Sequence, residues 1–164
     1  MTNGDGSPET PAESDSGWLT PGEQDTWAAL AGLLFLLPGV LDAQLQRDAG
    51  LNLFDYLVLS ALSMAEDRTL RMSEIAQLAN GSLSRLSNVA SRLERRGWLR
   101  RYPDPADGRY TNATLTEEGW DLVVRAAPGH VAAVRHYVIG PLTAPQARAL
   151  RAAAELILCQ VRGF

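Results

Sequence analysis

Lysine is absent: all fifteen basic side chains of this 164-residue chain are arginine. A codon bias toward arginine and alanine accounts for that, and no function follows from it. Cysteine occurs once, as Cys159, so no intrachain disulfide can form, and the chain fits a reducing cytoplasm. Histidine occurs twice. On a helix, His130 and His136 would lie on different faces, with no cysteine or acid cluster to complete a ligand set. No metal and no cofactor are therefore expected. No segment reaches eighteen consecutive apolar residues, so no membrane span is expected. Residues 1–16 have neither a basic start nor an apolar run, which argues against a secretory signal. The Gly-rich phosphate loop, G-x-S-x-G and H-E-x-x-H are all missing. With so few nucleophile and acid–base residue types, the chain does not read as an enzyme.

What is present is an ordinary globular composition, 46% hydrophobic and 21% charged, with charge unevenly spread. The net charge of -4 disfavours nucleic acid at first sight. Yet Asp5, Glu9, Glu13, Asp15, Glu23 and Asp25 fall within residues 1–25, which hold no base. Residues 68–111 carry nine arginines against Glu74, Glu94, Asp104 and Asp107, a local excess of +5. A basic block inside an acidic chain is a phosphate footprint or a solvated charged face.

Residues 1–17, rich in Gly, Ser, Pro and acids, read as a flexible tail. Thr20-Pro21-Gly22-Glu23 is a helix start with a capping box. An apolar stripe follows at Trp27, Leu30, Leu34, Leu37, Leu41 and Leu45, with a kink or break expected at Pro38-Gly39. Asn52 caps a second helix running to about Met64, with Phe54, Leu57, Val58, Ala61 and Leu62 inward. A short strand over 69–72, a short helix from Ser73, a turn at Asn80-Gly81 and a helix from Ser82 to Arg96 come next. Gly97 stops that helix. Strands over 98–102 and 111–115 form a hairpin with a long tip. Thr116 opens a helix interrupted at Pro128-Gly129 and ended at Gly140-Pro141. Thr143 opens the last one, with Leu150, Ala154, Ile157, Leu158 and Val161 on one face.

This order predicts a mainly α fold with a small β-hairpin wing: a winged helix-turn-helix between N- and C-terminal dimerisation helices. The predicted divisions are a tail over 1–17, a dimerisation helix region over 18–50, the winged domain over 51–115 and dimerisation helices over 116–164. The flanking apolar stripes exceed what one small winged domain can bury, so a homodimer is expected.

The helix from Ser82 to Arg96 has two faces. Leu86, Ala90 and Leu93 form one stripe, with Leu83 and Val89 beside it. At about 100° per residue, Ser84, Asn88, Ser91 and Arg95 fall opposite, flanked by Arg85 and Arg92. Small polar groups permit close approach to a major groove, and Arg or Asn bonds base edges. Arg100, Arg101 and Arg109 cluster on the hairpin, and an arginine on a narrow tip suits the negative minor groove. Asp107, two residues before Arg109, is placed to fix its direction.

The run SEIAQLANGSLSRLSNVASRLERRGWLRRYPDPADGRYTNATLTEEG resembles the core of the multiple antibiotic resistance regulator (MarR) family. The likeness lies in the LERRG helix end, the D-P-A-D-G-R wing and the following L-T-E-E-G. It covers about 25–162 in element order and is most specific over 73–119. It implies obligate dimers with interlocked terminal helices, and a recognition helix and wing that meet an inverted-repeat operator on double-stranded DNA. The implied recognition surface is Ser82, Ser84, Arg85, Ser87, Asn88, Ser91 and Arg92, with Asp107 and Arg109 in the wing. Gly108 stands where another charged residue is common, and Ala113 where a larger aliphatic is usual. The resemblance also implies a cavity for a small-molecule effector, of which nothing in the sequence identifies the ligand. The family's peroxide-sensing cysteine lies near the first helix, so Cys159 is read as an unreactive thiol at a helix interface. The reading is a cytoplasmic DNA-binding regulator, by resemblance a repressor. A winged helix used only for protein contacts is the alternative.

Overall fold

The Thr20 backbone N–H donates to the Glu23 carboxylate at 2.8 Å, and the Glu23 N–H returns to the Thr20 hydroxyl, so the first helix starts at its capping box. We analysed a computed structural model that describes residues 17–78 and 83–163. Residues 1–16, the Asn80-Gly81 turn and Ser82 lie outside the described residues, as does the side chain of Arg85.

The first helix, α1 (Pro21–Ala49), does not break at Pro38. A proline removes one backbone donor, and the turns on either side keep their own. The chain divides into two compact units, one ending at Leu37 and the other beginning at Pro38. By length and composition α1 is also apolar enough to cross a membrane, which counting uninterrupted apolar residues did not register. In the first unit Trp27, Leu33, Leu34, Phe35 and Leu36 are exposed, Phe35 at 85%.

The second unit holds the winged domain. Asn52 caps α2 (Leu53–Met64), its side chain accepting from the Asp55 N–H at 2.7 Å. Val58 and Leu62 point inward as expected, whereas Leu57 is exposed. A 3-10 turn at Glu66–Arg68 leads to β1 (Thr69–Arg71), α3 (Met72–Leu78) and α4 (Leu83–Arg95). Gly97 follows α4 at φ 76°, the left-handed conformation that ends helices. Then come β2 (Leu99–Pro103) and β3 (Thr111–Leu115). The sheet is antiparallel in the order β1-β3-β2, with Thr69 opposite Thr114 and Leu99 opposite Leu115. Leu45, Leu51, Leu59, Leu62, Ile75, Leu86, Leu93 and Leu99 fill the core.

Thr116 caps α5 (Glu117–Val134), which runs through Pro128 without the expected interruption. It passes into a π-helical turn at Arg135–Ile139 before Gly140. Thr143 and Gln146 complete the capping box of α6 (Ala144–Arg162), which has no buried residue. Its apolar residues Leu150, Leu156, Ile157, Leu158 and Val161 are exposed, as is Cys159.

Candidate nucleic-acid interface

Leu86, Val89, Ala90 and Leu93 anchor α4 in the core, each at most 7% exposed. The 3.6-residue period then turns Ser84, Ser87, Asn88 and Arg95 to solvent. These four expected residues share an exposed polar side. Ser91 and Arg92 are half-buried and engaged elsewhere. The Arg92 guanidinium donates to both Asp55 carboxylate oxygens, at 2.5 and 3.3 Å. Asp55 lies in the first turn of α2 and is 3% exposed, so this pair ties α4 to α2. Arg92 is thus engaged within the protein, with 40% of its side chain still exposed. A buried carboxylate needs a cation more than a solvated arginine needs a new partner.

Ser91 accepts from Arg101 at 3.0 Å. Arg101 also forks onto Glu94, with contacts at 2.7 and 3.0 Å, and its backbone N–H reaches the same carboxylate at 2.9 Å. The Arg101 backbone and side chain together hold the Glu94 carboxyl below its usual range. One arginine thus fixes β2 against α4. Arg101 is a brace and not a spare charge of the hairpin, while Arg100 stays exposed beside the Tyr102 ring.

At the wing tip Arg109 is 84% exposed in its side chain, and Asp107 grips it. Arg109 Nη2 lies 2.6 Å from Oδ2 and Nε lies 2.9 Å from Oδ1. The Arg109 side chain lowers the Asp107 pKa, and Asp107 raises that of Arg109. The expected pairing is present, and it points a charged fork out from the sheet.

Two participants escaped sequence reasoning. Arg71 at the end of β1 pairs with Asp104 in the wing at 2.9 Å, and its guanidinium lies 4.6 Å from the centre of the Tyr110 ring. Thirty-three residues separate the pair, and no local motif joins them. Beside α4 a cavity of about 680 Å³ is bounded by Pro38, Gly39 and Asp42 of α1, Leu53, Phe54 and Leu57 of α2, and Asn88 and Arg92. Among the described residues no three His, Cys, Asp or Glu side chains come together as metal ligands.

A polar helix face beside an arginine-tipped hairpin is the arrangement that the sequence resemblance implied. The MarR family model matches residues 49–109. Over its length the chain is similar to the Streptomyces coelicolor MarR-family regulator Sco3205, whose structure was solved in complex with DNA. The identity is 42%, with a TM-score of 0.85, covering 88% of this chain and 94% of that one. The chain belongs to the MarR family. AbsC, a second MarR-family regulator from Streptomyces coelicolor, is 36% identical at a TM-score of 0.85, covering 90% of this chain and 99% of its own. Among curated MarR relatives, the regulator PecS of Dickeya dadantii (strain 3937) is 36% identical over 80 residues, 47% of this chain and 48% of its own length. The chain spans about half the length of the curated relatives it matches. Its fold is the MarR winged helix, mostly helical with a three-stranded antiparallel sheet.

Proposed function

We propose that this chain is a cytoplasmic transcription regulator that binds an inverted-repeat operator on duplex DNA as a homodimer. The observation that carries the reading is the polar side of α4, with Ser84, Ser87, Asn88 and Arg95 exposed, beside the outward Arg109. In this reading α4 enters the major groove, where Asn88 bonds base edges. Arg109 enters the minor groove, and Ser91 and Arg92 hold the helix in place. The 42% identity to a regulator solved on DNA supports it. A module for protein contacts alone would be expected to present an apolar face here, so that alternative is not favoured.

The exposed apolar faces of α1 and α6 are covered by a second copy, which assigns 18–50 and 116–164 to dimerisation and 51–115 to DNA. A small-molecule effector fits the cavity walled by Asn88 and Arg92, where occupancy would disturb the helix that reads DNA. The role is regulatory and not enzymatic, with repression the expected direction.

Sequencing genomic fragments captured by the pure protein tests the reading. A two-fold palindrome is expected, with half-site centres about 34 Å apart, one helical turn. Capture with no enriched motif, or with a single unrepeated half-site, would contradict it.

A further inference from the structure

The loop from Asp104 to Tyr110 is longer than the two to five residues that ordinarily close a hairpin, so turn geometry alone does not fix it. Asp104 is the polar group buried within it, at 8% exposure. Its Oδ2 receives Arg71 Nε at 3.0 Å and Nη2 at 2.9 Å, and its Oδ1 receives the Ala106 N–H at 2.9 Å. The Asp104 N–H donates to the Tyr110 carbonyl at 2.9 Å, and the Tyr110 N–H to the Asp107 carbonyl at 3.0 Å, which closes the loop on itself. Arg71 is the last residue of β1 and directly precedes α3, so this ion pair ties the loop at the wing tip to the start of the helix-turn-helix.

We infer that Asp104 is a positioning residue for DNA binding: by joining Arg71 to the Ala106 amide, it sets the loop in which Asp107 aims Arg109. This inference rests on the DNA-binding reading above. Asp104 is itself buried, so its side chain is not placed to touch DNA. Its effect on affinity therefore passes through Arg109 and disappears when Arg109 is absent.

That dependence separates positioning from general support of the fold. Asp104→Asn keeps the shape and an acceptor for Ala106 but removes the charge that holds Arg71. Asp104→Asn, Arg109→Ala and the double variant are titrated by fluorescence anisotropy against the captured operator. Asp104→Asn alone should weaken binding roughly five- to tenfold, and should add less than about twofold in the Arg109→Ala background. The salt dependence should become shallower in both single variants. An Asp104→Asn loss of equal size with and without Arg109, or no loss at all, overturns the inference. If Arg109→Ala binds like the parent, the DNA reading of the wing is what fails. Where Asp104→Asn does not fold, Arg71→Gln breaks the same tie from the other side. A loss that vanishes without Arg109 supports the inference, and one that persists overturns it.

Discussion

Arg92 shows how a partner changes a residue's role. It lies on the side of α4 next to Asn88, yet its guanidinium is held by Asp55, which is almost wholly buried. Removing one member of such a pair leaves an uncompensated charge out of water. Arg92→Ala should therefore destabilise the fold by roughly 1–3 kcal/mol, the cost of an unsatisfied buried group. Asn88→Ala, on the exposed side, should melt like the parent. Thermal melts of the two variants check this, and an Arg92→Ala protein as stable as the parent would return Arg92 to the base-reading set. The sequence could not show the pairing, because 37 residues separate Asp55 from Arg92 and a helical wheel supplies an angle but no partner. Asp107 and Arg109 were legible for the opposite reason: two residues apart in a turn, they meet whatever the rest of the fold does.

At the scale of elements, local chemistry carried well. Asn52, Thr116 and Thr143 each cap a helix, because a side-chain oxygen needs only an amide two or three residues on. The two prolines misled, since Pro38 and Pro128 each remove a single donor and both helices continue through them. The π-helical turn at Arg135–Ile139 had no sequence signal. Gly119, within the L-T-E-E-G run, acquires a reason only in the fold. A Cβ there would run into the Trp98 carbonyl oxygen and lie 2.7 Å from the Leu115 side chain. Thr116 completes the junction by donating to the Gly97 carbonyl at 2.6 Å. The first turn of α5 thus rests on the base of the wing. Alanine gains about 1 kcal/mol over glycine in helix propensity, but the obstruction is backbone and cannot swing aside. Gly119→Ala should cost roughly 1–3 kcal/mol net, as overpacked sites do. Denaturant titration measures it, and a neutral or stabilised variant would show that α5 is free to move off the hairpin.

For the whole molecule, the uneven charge and the unpartnered apolar faces point the same way. A chain of net charge -4 is not drawn to DNA by its total; attraction has to come from where its arginines stand. Several of those in the basic block are used internally: Arg71 on Asp104, Arg92 on Asp55 and Arg101 on Glu94. Affinity then depends on a short set of outward groups, and base reading and backbone attraction become separable. Asn88→Ala should cost on the order of 1–3 kcal/mol on the matched operator and little on a scrambled duplex, with the salt slope preserved. Arg109→Ala should weaken both duplexes and make the slope shallower, because fewer counterions are released. The deciding measurement is fluorescence anisotropy of the parent and these two variants on matched and scrambled duplexes across a salt series. The account predicts those two distinct patterns, and variants that bind both duplexes like the parent at every salt concentration would contradict it.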